Sequence, residues 1–337
     1  MTRFATPAAF LAALGNLPQA DVAARSAAKA RQATLTKPLG SLGRLEDVAV
    51  LMAGWQGRER PRLDQGRAIV FAGNHGIVAR GVSAFPGSVT AQMVANFKHG
   101  GAAINALSKA AGLDLTIVAL DLDRPTADFT REPAMSEADC LAALNAGAAA
   151  VEGMAELIVL GEMGIGNSTT AAALCLASFE GQASDWVGPG TGVDPAGVAR
   201  KIETVEAGMA LHGDALTSPF ETLRRLGGRE LAAIAGAVVG ARLAGVPVML
   251  DGFICCAAIA PLAAACPDIL DHCLAAHVSA EPGHARLLEE FRLEPLLSLG
   301  MRLGEGSGAA VATLLVRAAL AAHDEMATFA EAGVSAA

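Results

Sequence analysis

The chain has no excess of positive charge. Its 25 Lys and Arg are outnumbered by 34 Asp and Glu, leaving a formal net charge of −9. Such a surface repels a phosphate backbone, so nucleic acid is not expected as a partner. A small phosphorylated ligand is still allowed, because backbone N–H groups at a helix start bind anions locally. Cysteine is sparse and unpatterned: Cys140, Cys175, Cys255, Cys256, Cys266 and Cys273 form no CxxC pair. Most sit in apolar helical surroundings and read as small core residues in a reducing compartment, not as disulfides or metal ligands. No His/Cys/Asp cluster has ligand spacing, so no metal is expected. An unbroken apolar span is also missing: the longest candidate, Leu231 to Leu250, contains Arg242 and Pro247 and reads as a buried helix followed by a strand. Met1 to Leu17 has neither the basic start nor the long apolar centre of a signal peptide, and a cytoplasmic location is expected. Disorder is excluded by 53% hydrophobic and 18% charged residues, and 337 residues suffice for one large α/β domain with a small companion.

Short apolar runs alternate with Ala-rich stretches of helical length. A helical stretch is expected over Pro7 to Ala33 and another from Arg44 to about Gln56, separated by a turn-rich loop at Lys37–Gly43. Four runs read as buried strands: Arg67–Ala72, Leu115–Leu120, Glu156–Leu160 and Val246–Leu250. Strand, loop and helix in alternation predict an α/β fold with a Rossmann-like parallel sheet and helices on both faces. All-apolar strands fit a sheet buried on both sides. The expected division is a large α/β domain over 66–280 and a small, mostly helical domain made from 1–65 with 281–337. The end of the chain, Phe329 to Ala337, reads as a frayed tail.

Polar residues gather just after the strands, where open α/β sheets bind ligands. The first strand runs into Gly73-Asn-His-Gly76, the third into Gly161–Thr170, and the fourth into Asp251-Gly-Phe253. In the second of these, Gly161, Gly164 and Gly166 free the backbone to approach a ligand, and Asn167 to Thr170 offer a cap and hydroxyl donors. It matches neither GxGxxG nor the GxxxxGK[ST] phosphate loop, and by itself it is also a plain Gly-rich turn. Glu162 shifts the balance, because a carboxylate beside an anion site is costly unless it has a task. Gly188–Gly192 is a second glycine-dense loop, followed by a helix opened by Asp194 and Pro195. That helix carries Lys201, one of only five Lys in the chain and long enough to reach a phosphate. In His277–Gly283, Ser279 is a candidate cap for the next helix. Leu303–Gly308 sets Glu305 between Gly304 and Gly306 ahead of an Ala-rich helix. Glu305 reads either as a helix-start charge or as a positioned general base, with glycine neighbours that let a flat substrate lie close.

Together these segments resemble the nicotinate-nucleotide–dimethylbenzimidazole phosphoribosyltransferase family, over nearly the whole length. The resemblance rests on Lys37–Glu46 (KPLGSLGRLE), Gly73–Gln92 (GNHGIVARGVSAFPGSVTAQ), Gly161–Thr170 (GEMGIGNSTT), Leu250–Phe253 (LDGF), His277–Glu281 (HVSAE) and Met301–Ala309 (MRLGEGSGA). It implies a homodimer and a reaction in which a benzimidazole base displaces nicotinate from nicotinate mononucleotide, with no cofactor. It implies Glu305 as the catalytic base and Glu162 as the second carboxylate. On the phosphate and ribose side it implies Gly164, Lys201 and Ser279, with Gly166, Asn167 and Gly306 beside them. Leu303 is implied for the wall of the base pocket. Some members carry small or polar residues in the segments here written Ser83–Pro86 and Ala91–Met93, where this chain places Phe85 and Met93 as base-binding residues. An aromatic ring and a thioether make a flat, polarizable wall suited to a fused bicyclic base.

The chemistry is coherent on its own terms. Attack by the lone-pair nitrogen of a benzimidazole leaves a cation unless its N–H proton departs, so a carboxylate at that N–H lowers the barrier. The pyridinium leaves neutral and needs no acid. Positive charge growing at the anomeric carbon is met by a second carboxylate. Two other classes compete. A dinucleotide-dependent oxidoreductase would want GxGxxG after the first strand, where Gly73-Asn-His-Gly76 stands instead. A non-catalytic nucleotide sensor would bind without turnover.

Overall fold

The computed structural model describes residues 3–335. Its centre is a parallel sheet of five strands: β1 (Gly66–Ala72), β2 (Leu113–Ala119), β3 (Leu157–Met163), β4 (Val248–Leu250) and β5 (Cys273–Ala275). They lie in the order β2-β1-β3-β4-β5, so the chain reverses direction of growth beside β1 and β3. Register brings the strand ends together: Phe71 pairs with Glu162, Leu160 with Leu250, and Leu250 with Ala275. The residues that follow β1, β3 and β4 therefore emerge side by side.

Side chains alternate across the sheet, and each face has its own core. Ile69, Phe71, Ile158, Leu160 and Leu250 point to one, which includes residues of the helices Glu137–Ala150, Asn167–Ser178 and Arg229–Ala244. Ala68, Val70, Val159 and Met249 point to the other, where the helices Arg44–Gln56, Ser88–Lys98, Ala103–Ala111 and Ser307–Glu325 pack. The helices Glu137–Ala150 and Arg229–Ala244 touch backbone to backbone. A methyl group on Gly147 would strike the Ala233 carbonyl, and one on Gly236 would strike that of Leu144. Backbone cannot yield as a side chain can, so filling either position costs about 1–3 kcal/mol or more.

The chain ends meet. Arg31 donates to the backbone oxygens of His323 (2.7 Å) and Asp324 (2.9 Å), and Gln32 bonds the His323 ring at 2.8 Å. Both ends also join the main layers: Phe4 and Phe10 are buried in the first core, Ala309 and Val316 in the second.

Several local expectations are corrected. The stretch Pro7 to Ala33 is two helices, Pro7–Leu14 and Val22–Thr34, because Gly15 ends the first and the Asp21 carboxylate caps the second by accepting from Ala24 N–H. A fifth strand, Cys273–Ala275, was not anticipated; three residues carry too little periodicity to be seen. Residues Phe329–Ala332 of the expected tail form a short helix closed by Thr328 and Glu331, while 336–337 lie outside the described residues. No helix among the described residues is long and apolar enough to cross a membrane.

Candidate active site

β3 delivers Glu162 to the carboxyl edge of the sheet, where it is 5% exposed. The turn beyond it runs through Gly164 and Gly166 into the helix Asn167–Ser178, with Gly166 left-handed at φ +93°. Asn167, the first residue of that helix, donates its side-chain N–H to Glu162. Burial pushes the Glu162 carboxyl up to about 8; the Asn167 hydrogen bond opposes this, and the nearby carboxylates of Glu230, Asp251 and Glu305 add to it.

Glu305 is brought alongside from a distant part of the chain. The loop before Ser307–Glu325 crosses β3 at Gly161, whose Cα faces the Glu305 carbonyl and the Gly306 nitrogen so closely that no side chain fits there. Glu305 itself has φ +64°, one of three non-glycine residues with positive φ among those described. A left-handed glutamate costs roughly 1–2 kcal/mol, a strain of the kind concentrated at functional sites. Its carboxyl is raised by burial, lowered by the Ile104 backbone N–H and raised again by Asp251. Its Oε2 is buried with no protein partner.

Asp251, at the end of β4, holds that loop in place. Its two oxygens accept from Gly306 N–H (3.1 Å) and Ala309 N–H (2.9 Å), and His277 Nε2 lies 3.5 Å away. The sequence had marked Asp251 only as a polar strand ending. Its part as the cap of the helix start next to Glu305 follows from contacts across 55 residues or more. Glu230 was missed entirely. It is fully buried, paired with His75, and packs against the Cα atoms of Gly73 and Gly164 from below. Its place within a helix hid it among ordinary helical charges.

One cavity gathers these parts. It is lined by Glu162, Gly164, Gly166, Asn167, Ser168, Gly190, Asp251, His277, Ser279, Glu281, Arg302, Leu303 and Gly304, among others. Lys201 stands just behind its wall, wholly buried, donating to Ser168 Oγ at 3.0 Å and to the Gly188 carbonyl at 2.6 Å. Burial lowers its ammonium to about 8, with Glu281 pulling the other way. Ser279 faces the cavity but does not cap the next helix: the cap position of Pro282–Phe291 is Glu281, and Ser279 Oγ accepts from Glu281 N–H at 3.3 Å. Glu305 and Gly306 sit behind Gly304, outside the lining.

On the base side, Leu303 lines the cavity and is 57% exposed. Phe85 is exposed, and Met93 is half-buried against the second core; neither is among the lining residues, although Val82 and Ser83 of the same segment are.

Carboxylates at the strand ends, glycine loops opposite and a buried lysine between them are the parts that the sequence motifs had suggested. Comparison with known proteins decides the family: a family model described as Phosphoribosyltransferase matches residues 17–334. The chain belongs to this phosphoribosyltransferase family. Among curated members it is 68% identical over 335 residues, 99% of each chain, to the nicotinate-nucleotide–dimethylbenzimidazole phosphoribosyltransferase of Novosphingobium aromaticivorans. It is 57% identical over 320 residues, 95% of each chain, to the protein of the same name from Rhodobacter capsulatus. Among solved structures, CobT from Thermus thermophilus superposes with a TM-score of 0.86 at 41% identity, covering 94% of this chain and 100% of the other.

Proposed function

We propose that this protein transfers the 5-phosphoribosyl group of nicotinate mononucleotide to 5,6-dimethylbenzimidazole, giving α-ribazole 5′-phosphate and nicotinate, a step in assembling the lower ligand of cobamides. The observation that carries this reading is Glu162 on the cavity wall with Glu305, a second buried carboxyl from a distant segment, one residue beyond the lining at Gly304, in a chain of this family. A carboxyl raised toward neutrality is a better base at working pH than an ordinary one. Glu305 accepts the benzimidazole N–H proton as the lone-pair nitrogen attacks the anomeric carbon. The cationic pyridinium of the bound nucleotide favours the ionised form of Glu162, which then faces the positive charge that grows at the anomeric carbon as the pyridinium leaves. The substrate nucleotide is β and the product α, so one displacement with inversion suffices.

The phosphate and ribose end of this reading is the loop at Gly164 and Gly166 with Ser279 and Lys201, beside Asn167, which holds Glu162, and Gly306, whose N–H is held by Asp251. Lys201 would act at short range through the thin wall made by Ser168 and Gly188. Leu303 is the wall of the base subsite, and Phe85 and Met93 stand at its outer side. A homodimer in the cytoplasm, each chain built of a large α/β domain over 66–280 and a small, mostly helical domain from 1–65 with 281–337, completes the proposal. Incubation with nicotinate mononucleotide and dimethylbenzimidazole, followed by chromatography for nicotinate and the ribazole phosphate, tests it. Binding without release would favour a sensor, and a requirement for a dinucleotide would favour an oxidoreductase.

A further inference from the structure

We infer that Glu281 accepts hydrogen bonds from the ribose hydroxyls of the bound nucleotide and so selects a ribonucleotide over its deoxy forms. The inference rests on the nucleotide reading above.

Glu281 lines the cavity yet is only 8% exposed. Neither of its carboxylate oxygens has a hydrogen-bond partner among the described residues; the Gly190 amide lies near without reaching hydrogen-bond geometry. Lys201 and Arg302 are close enough to be felt electrostatically, but neither forms an ion pair with it within 4.0 Å. A buried carboxylate without partners is costly, and such groups persist where a ligand supplies what the protein does not.

The other two carboxylates of the lining are already engaged. Glu162 accepts from Asn167, and both oxygens of Asp251 accept backbone N–H groups. Glu281 alone is open on both oxygens. Its carboxylate lies close against the bare backbone of Gly188, and Pro282 packs against the same glycine.

The chemistry of the nucleotide then names the partner. Near neutral pH its phosphate and its nicotinate carboxylate are acceptors only, and its pyridinium nitrogen carries no proton. The 2′- and 3′-hydroxyls are its only donors. A carboxylate at the nucleotide end of the cavity either meets those hydroxyls or repels the ligand. Two adjacent hydroxyls match the two oxygens of one carboxylate. Ser279, two residues away, lines the same cavity and is the group assigned above to the phosphate.

The test is calorimetric binding of nicotinate mononucleotide, its 2′-deoxy form and its 3′-deoxy form to the parent protein and to Glu281→Ala, beside a product assay for each. Loss of a hydrogen bond to a charged acceptor weakens binding roughly tenfold to a hundredfold. The parent is expected to bind at least one deoxy form that much more weakly, and Glu281→Ala to weaken the ribonucleotide while leaving the deoxy form nearly unchanged. Equal affinity of the parent for all three overturns the inference and needs no variant, even if product is formed. An equal loss in Glu281→Ala for ribo and deoxy forms also overturns it, because Glu281 would then act on Lys201 or on the phosphate. Discrimination in binding with no product in any arm would uphold Glu281 and sink the transferase reading instead.

Discussion

The side chain of Glu162 lies directly against the Cα of Gly304, the residue before Glu305, so that no side chain stands between it and the backbone of the Glu305 loop. Gly304 is left-handed at φ +81°, and a methyl group there would run into Glu162 Oε1. Gly304→Ala is therefore expected to displace one carboxylate or the other. Steady-state kinetics should show turnover reduced about a hundredfold, as misplacement by an ångström commonly does, beside a loss of unfolding free energy of roughly 1–2 kcal/mol from the left-handed alanine. A parent-like rate would mean that this contact does not set the catalytic geometry.

Glu305 allows activity and strain to be separated. Glu305→Gln keeps the shape and loses the basicity, so turnover should fall by about 10²–10⁴-fold while affinity for nicotinate mononucleotide holds. Glu305→Gly also removes the base but relieves a backbone at φ +64°. Its unfolding free energy should equal or exceed that of the parent, by up to about 1 kcal/mol, despite the loss of activity. Denaturant titration of both variants decides this; a Gly variant less stable than the Gln variant would count against strain at this site.

The raised carboxyl of Glu162 makes a statement about pH. With a folded value of about 8 against the usual 4.5, the folded protein holds a proton that the unfolded chain has lost between those two values. Stability contributed by this group is thus complete below about pH 4.5 and falls as pH rises toward 8. The raised carboxyls of Glu281 and Glu305 act in the same direction. Glu162→Gln should flatten the decline between pH 5 and 8 by about 1–3 kcal/mol, measured by urea unfolding of the empty protein at a series of pH values. An unchanged slope would show that Glu162 is ionised in the folded state.

Choice of base is expected to depend on the apolar wall. Dimethylbenzimidazole should outcompete adenine by about tenfold or more, because the polar edges of a purine lose water without replacement. Leu303 lines the cavity, whereas Phe85 and Met93 stand outside it. Leu303→Ser should therefore erode the preference more than Phe85→Ser does. The measurement is product ratio at equal concentrations of the two bases; a larger effect from Phe85 would mean that its segment folds over the base when substrate binds.

The strands β1 to β4 were legible because each is a short apolar run bounded by glycine or charge, and burial on both faces demands that composition. β1 to β4 also announced the places where polar residues had to emerge, so Glu162 and Asp251 were visible as strand endings. Glycines around Glu305 were visible too, since left-handed backbone and close approach both select for glycine. What the sequence could not contain is distance. The crossing of Gly304–Gly306 over Gly161 joins segments far apart in the chain, and the same holds for Asp251 clamping that loop and for Glu230 beneath Gly73 and Gly164. Local pattern records which face of an element is buried, and it says nothing of which buried charge meets which. Glu281 shows this most plainly. In sequence it is an acid before a proline. Only the closing of the loop at Gly188 over it, and the absence of any partner there among the described residues, makes it an open carboxylate in a cavity. Composition and periodicity determined the layered sheet; packing across the strand ends decided the chemistry, because ionisation and hydrogen bonding depend on neighbours that only the folded chain supplies.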